Sequence, residues 1–237
     1  MVRFLYMHKS WSKDFNKYTH PSVMKISRTM KLKKIDNFKE WRDEMKKLGK
    51  IRSTYPKLKR DADLAELIGV VLGDGNISVF PRTEAMTIAS NAKNKGFIKR
   101  YAYLIEKIFS QRPTINKPNR GCVRIRIYQK YISRRIDIPT GSRKDKNIKI
   151  PQWILKNKSF LVRYLRGLYE AEGSFCVHRP TCTYKFLFSN KNESLLNNVY
   201  RVLIILGFHP NKSGYKIQVS RKEEVYKVKN LIKFRQY

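Results

Sequence analysis

Two carboxylates, each closing the same short phrase, are the residues of this chain whose types and spacing could do chemistry. Asp74 closes Leu67-Ile-Gly-Val-Val-Leu-Gly-Asp-Gly75, and Glu172 closes Leu165-Arg-Gly-Leu-Tyr-Glu-Ala-Glu-Gly173. Both acids are followed by glycine. Both runs carry small residues at their third and seventh places, Gly69 and Gly73 in the first, Gly167 and Ala171 in the second. Carboxylates are hard oxygen ligands suited to Mg²⁺, which keeps several waters and accepts phosphate oxygens readily. Ions held this way can activate water, neutralise charge building on phosphorus and stabilise a leaving oxygen, the chemistry of two-metal phosphodiester hydrolysis. No covalent nucleophile is required.

The elements that must position these acids follow from the small residues. Each run reads as a helix, 64–74 and 160–172, with its small residues four apart and therefore on one face. Glycine inside a helix costs about 1 kcal/mol relative to alanine, so Gly69, Gly73 and Gly167 need a reason, and close approach of two helix backbones supplies it. If the two helices pack through that seam, Asp74 and Glu172 arrive together at one end of it. There they repel each other, and each lies near the partial negative charge of a helix C-terminus. A divalent cation between them reverses both penalties. Gly75 and Gly173 are expected to end the helices in the left-handed conformation.

Composition narrows the partner. The chain has 237 residues, is 41% hydrophobic and 12% aromatic, and should fold around one large or two small cores. Its 52 Lys and Arg against 18 Asp and Glu give a formal charge of +34, which makes nucleic acid the economical partner, with a ribosomal protein as a rival reading. The basic residues run along the whole length rather than along one amphipathic helix, which disfavours a membrane surface. No apolar run reaches spanning length or resembles a signal peptide, so no membrane role is expected. Cys122, Cys176 and Cys182 have no framework spacing and suit a reducing compartment, so an intracellular protein, cytoplasmic or in the nucleoid, is expected; an organellar presequence is an open alternative for the basic start of the chain. Cys176, His178 and Cys182 lack a fourth ligand at zinc spacing, and His8, His20, His178 and His209 form no hydrolytic arrangement.

In chain order, residues 1–36 are basic and without clear period, and read as irregular. Phe38, Trp41, Met45 and Leu48 recur at helical spacing, so 37–48 reads as an amphipathic helix docking on something larger, with Trp41 in a core. Residues 50–60 lead into the first motif helix, capped by Asp61 or Asp63. There follow strands near 76–80 and 85–90, a helix near 94–109, a hairpin of 113–117 and 122–128 across Asn119-Arg120-Gly121, and a helix in 129–136. Residues 137–150 join the halves, Pro151 opens a short helix 151–157, and the order then repeats. The second half has strands near 174–178 and 183–189, a helix 193–206, a hairpin turning at Ser213-Gly214 and a helix 221–232. The fold class is therefore α+β, two αββαββα halves packed through their first helices, their antiparallel sheets side by side as a saddle. Domain bounds are 1–60 for a basic extension, 61–136, a linker 137–150, and 151–237.

Strand alternation assigns the sheet faces. Val123, Ile125 and Ile127 share one face, and Arg124, Arg126 and Tyr128 the other; Lys216, Gln218 and Ser220 likewise face together. The polar faces suit DNA, because the forks of Arg and Gln match the major-groove edges of guanine and adenine.

The paired motifs, small residues at matched places with a terminal acid and glycine, resemble the LAGLIDADG homing endonucleases in their monomeric, two-motif form, and within them the intron-encoded archaeal members. The likeness covers about residues 62–237. It implies a site-specific double-stranded DNA endonuclease, a monomer recognising a long target, using Mg²⁺ in two or more ions and leaving staggered ends with 3′ overhangs across one minor groove. It implies that Asp74 and Glu172 hold metal with the carbonyls of Gly73 and Ala171. It places Asn91 in the first half, and Asn190 with Lys191 in the second, where the family orders water; Ala92 in place of a lysine puts the first half's role in doubt. Arg126 and Gln218 act on scissile phosphates or serve as plain DNA contacts. Two alternatives share the fold, an RNA-splicing maturase acting on host intron RNA and a non-catalytic DNA-binding regulator, and retention of both acids favours catalysis.

Overall fold

The computed structural model describes residues 11–51, 54–117 and 121–237. The chain divides into two compact units, Met1–Tyr55 and Pro56–Tyr237. Among its described residues the first unit holds two helices, α1 (Pro21–Leu32) and α2 (Lys39–Lys47). The expectation of an irregular segment up to residue 36 fails at α1. Pro21 starts that helix with its fixed φ, and the His20 ring accepts a hydrogen bond from the Ser22 amide, a start signal independent of hydrophobic period. Residues 1–10, including His8, lie outside the described residues, as do Asn119 and Arg120 of the expected hairpin turn. Helix α2 forms where expected, but Trp41 is not core: it is 52% exposed, and no residue of 11–51 is buried. Two short helices have too little surface to enclose an indole.

The second unit carries the duplicated order. Its first half is α3 (Ala62–Asp74), β1 (Gly75–Phe80), β2 (Thr83–Asn91), α4 (Lys95–Phe109), β3 (Thr114–Asn116), β4 (Cys122–Gln129) and α5 (Ile132–Ile136). After a short α6 (Gln152–Leu155) come α7 (Lys158–Glu172), β5 (Gly173–His178), β6 (Thr183–Ser189), α8 (Glu193–Ile205), β7 (Asn211–Ser213), β8 (Lys216–Val219) and α9 (Lys222–Leu231). The sheets are antiparallel and ordered alike, β1-β2-β4-β3 and β5-β6-β8-β7. The α+β fold of two repeated halves is therefore the one that the order of elements predicts.

The strands read as expected. In β4, Val123, Ile125 and Ile127 are buried while Arg124 and Tyr128 are exposed; in β8, Ile217 and Val219 are buried beside exposed Lys216. The buried faces meet α3 and α7 together with Phe97, Tyr101, Leu104 and Ile105 of α4 and Leu195, Leu196 and Val199 of α8. Helix α3 is buried on every side from Leu64 to Leu72, so it lies inside the unit rather than on it. One charge is enclosed with it. Glu66, fully buried, accepts from Arg100 at 2.5 and 2.7 Å and is ion-paired to Arg163 Nε at 2.7 Å and Arg166 Nε at 3.4 Å. The buried carboxylate needs guanidinium groups from both α4 and α7 around it, so the cluster fixes how α3, α4 and α7 pair.

Candidate active site

The site begins with the close approach of α3 and α7. A Cβ on Gly69 would lie 2.3 Å from the Tyr164 carbonyl oxygen, and one on Gly167 would lie 2.1 Å from the Glu66 carbonyl oxygen and 3.0 Å from Gly69 Cα. Further along, a Cβ on Gly73 would meet Ala171 Cβ at 2.4 Å and Glu172 Cγ at 3.2 Å. The small residues are thus the contact, and they bring the two acid-bearing ends together. The N-terminal ends are capped by side chains, Asp61 accepting from Leu64 N at 2.9 Å and Asn157 accepting from Ser159 N at 2.9 Å.

The helix ends differ from expectation. Gly75 and Gly173 are not left-handed: their φ values are −89° with ψ of 158° and 151°, so the chain passes from helix directly into strand. Glycine is required there for space. A Cβ on Gly75 would stand 2.6 Å from the Val71 carbonyl oxygen, and one on Gly173 2.3 Å from that of Tyr169. The Gly75 and Gly173 amides bond those same carbonyls, and the later carbonyls of each last turn, including Gly73 and Ala171, lack an intrahelical partner.

Asp74 is exposed to solvent, although protein atoms surround much of its carboxylate. Burial, and then the charge of Glu172, push its pKa up to about 7. Burial also raises Glu172, against an opposing hydrogen bond from Asn190 Nδ2 to Glu172 Oε1 at 3.2 Å. The structure therefore assembles two acids that resist ionising side by side, an arrangement that a proton or a cation relieves. Among the described residues no three His, Cys, Asp or Glu side chains cluster as a metal site, so any ion here would rest on two carboxylates and backbone oxygens.

A cleft of about 560 Å³ opens beside Glu172, with Gly73, Asn190, Lys191, Arg143 and Lys144 in its wall. Asn190 is held for its contact, its Oδ1 accepting from the Asn192 amide at 2.8 Å. Asn91 is not so placed. It is exposed and its Oδ1 accepts from Lys93 N at 2.9 Å. The sheet register explains the difference: Gly75 pairs with Ile88 and Gly173 with Phe188, so Ser90 is the counterpart of Asn190, and Asn91 that of Lys191. Matching Ala92 with Lys191, as the shared Ser-Asn pair before them suggests, is one residue out in the ladder register.

Arg126 and Gln218 are counterparts in the ladders, opposite Thr87 and Leu187. Arg126 donates through Nε to Thr87 Oγ1 at 2.9 Å and through Nη1 to the Tyr128 hydroxyl at 3.2 Å; Gln218 donates to Ser220 Oγ at 2.5 Å. Arg124, Tyr128, Lys216 and Ser220 are exposed on the same faces. Among the described residues neither Arg126 nor Gln218 hydrogen-bonds to the acids, so they belong to the sheet surface.

Sequence reasoning missed Arg143. Its Nη2 donates to the carbonyl oxygens of Val71 at 2.9 Å and Gly75 at 2.5 Å, on either side of Asp74. The only hint in the sequence was a basic residue in the segment joining the halves.

Residues 159–237 match the LAGLIDADG-like domain family. Among curated proteins none matches the sequence. Among solved structures, mesophilic variants of the homing endonuclease I-DmoI align with a TM-score of 0.50 at 20% identity, covering 72% of this chain and 94% of that one. I-DmoI in complex with DNA and Mn aligns with a TM-score of 0.50 at 18% identity, covering 72% and 96%. The complex with DNA and Ca gives 0.51 at 18% identity, covering 72% and 88%. These likenesses show the fold, the two-domain arrangement of LAGLIDADG proteins.

Proposed function

We propose that the protein is a site-specific, metal-dependent double-stranded DNA endonuclease of the homing type, acting as a monomer because one chain supplies both halves of its site. The observation that carries this reading is the pair Asp74 and Glu172, brought together by interlocked helices and both raised in pKa, in a chain of formal charge +34. Structures of I-DmoI with DNA and Mn or Ca support it by fold.

The donor set fits a hard divalent ion: two carboxylates that resist lone ionisation, and helix-end carbonyls of Gly73 and Ala171. These four groups would hold the metal. When bound, Mg²⁺ supplies charge neutralisation at phosphorus and activation of water. Asn190 keeps Glu172 in place, and exposed Lys191 adds positive charge at the cleft where a phosphate must enter. Arg124, Arg126 and Tyr128 from one sheet, with Lys216, Gln218 and Ser220 from the other, face outward where bases and phosphates can be read. The likeness to homing endonucleases implies that both strands would be cut across one minor groove, leaving 3′ overhangs.

The test is to incubate the protein and Mg²⁺ with DNA carrying the joined flanks of its host gene and to map the ends. Paired cuts leaving 3′ overhangs are expected. Binding without cleavage in any divalent metal would leave a DNA-binding regulator instead.

A further inference from the structure

We propose that Arg143, in the segment between the halves, is a positioning residue for Asp74; the inference rests on the nuclease reading above. Its guanidinium bridges the carbonyl oxygens of Val71 and Gly75, and so spans the helix-to-strand junction that carries the acid. Neither α3 nor α7 has a basic residue in its last turn. Arg143 therefore supplies to α3, from outside, the positive charge that a helix C-terminus favours, and it does so where an acid makes that end more negative still. The two bonds leave one way for residues 71–75 to lie.

The other end of the connection is equally fixed. Asn192, buried at the start of α8, donates through Nδ2 to the carbonyls of Arg143 at 2.5 Å and Lys146 at 2.8 Å. Ser194 Oγ accepts from Ile148 N at 2.8 Å, and the Gly141 amide donates to the Ile77 carbonyl of β1 at 3.1 Å. Arg143 thus ties the junction of the first half to α8 of the second, along the wall of the cleft beside Glu172.

Two features separate this from an ordinary loop tether. Arg143 Nη1 is buried with no hydrogen-bond partner among the described residues, so the guanidinium bears a desolvation cost that a neutral donor would avoid. The second half, in contrast, has no such clamp: among the described residues no arginine donates to the carbonyls of Tyr169 or Gly173, and Glu172 is held through its side chain by Asn190. The two acids are therefore fixed by different means, Asp74 through its backbone and Glu172 through an amide.

The experiment compares wild type with Arg143→Ala and Arg143→Lys in the full chain. Hydrogen exchange is followed by mass spectrometry without DNA, and single-turnover cleavage at saturating Mg²⁺ with target affinity measured in Ca²⁺. In Arg143→Ala, peptides covering residues 70–80 should exchange faster while those of α8 keep wild-type protection. Cleavage should fall about 10–100-fold with affinity changed less than about threefold, the scale of losing two charge-assisted hydrogen bonds that act on positioning and not on grip. Methylguanidinium should restore part of the rate. Lysine should not, because one ammonium cannot span two carbonyls as a planar fork does. Unchanged exchange at 70–80 overturns the inference, as does wild-type cleavage by Arg143→Ala. A rate loss without guanidinium rescue, matched by faster exchange everywhere, also overturns it by reducing Arg143 to a fold-wide support. If wild type cuts no DNA while the local exchange change appears, the clamp stands and the nuclease reading falls.

Discussion

Substituting Gly167 by alanine sets two effects of opposite sign against each other. In an unconstrained helix the change gains about 1 kcal/mol from lower chain entropy and better propensity. In α7 the new Cβ would sit 2.1 Å from the Glu66 carbonyl oxygen, 2.7 Å from Val70 N and 3.0 Å from Gly69 Cα. All three are backbone atoms of α3, so none can swing aside as a side chain would. Restoring ordinary contact means parting the helices by about 1 Å, and because dispersion falls steeply with distance the neighbouring contacts along the seam weaken too. Overpacking of this kind costs about 1–3 kcal/mol or more, and a clash with rigid backbone belongs at the upper end. After the propensity gain a net loss of about 2 kcal/mol remains, which lowers the melting temperature by roughly 4–8 °C for a unit of this size. Urea denaturation of Gly167→Ala against wild type decides the matter. The same parting moves Asp74 from Glu172, so cleavage measured well below the melting point should fall further than stability does. A variant equal to or more stable than wild type would refute the seam argument, because propensity alone would then have won.

Other outcomes follow from the same structure. The pKa of Asp74, raised to about 7 from 3.8, makes the folded state hold its proton more tightly than the unfolded one, so this stability is fully present below about pH 4 and is lost as pH rises through about 7. Full conversion of the shift gives a ceiling of about 4 kcal/mol, which solvent at the exposed side of the carboxylate reduces to about 1–2. Metal-free wild type should thus lose stability relative to Asp74→Asn between pH 5 and pH 8, with Mg²⁺ restoring only wild type; parallel profiles would contradict the pKa argument. Arg126→Ala should relax preference at single base pairs by about 1–3 kcal/mol in a binding-site selection, and uniform weakening of all sequences would remove the sheet as the reading surface. If about 8 phosphates are neutralised, the log–log salt dependence of target binding should have a slope near −7, and a slope shallower than about −2 would mean that the charge serves another purpose.

Much of this was legible in the sequence because it was written twice. The small residues at matched places located the helix seam, and strand alternation assigned both sheet faces. Where the reading went wrong, a different physical cause had acted on a familiar residue. Gly75 and Gly173 follow their helices where a left-handed cap is common, yet what they answer to is the lack of room beside Val71 and Tyr169. Helix α1 does place Val23, Ile26 and Met30 at helical spacing, but among many basic residues, and its start signal, His20 before Pro21, is not among the commonest caps. The Ser-Asn pair that closes each second strand suggests matching Asn91 with Asn190, whereas the ladder register matches Ser90 with Asn190. Glu66 and Arg143 were beyond pattern reading altogether: each acts through partners far away in sequence, Arg100 and Arg163 for one and Val71 for the other.

The central claim is that Asp74 and Glu172 form one shared centre. Asp74→Asn and Glu172→Gln keep shape and volume while removing the charge that would hold metal. The direct measurement is nicking of a supercoiled target plasmid by each variant in excess Mg²⁺, with binding followed in parallel. Both variants should bind the target at least as well as wild type, since a carboxylate facing phosphate repels it, and neither should cut even one strand efficiently. Strong strand-specific nicking by one variant would show two independent centres, and double-strand cutting by either would remove the pair from the chemistry.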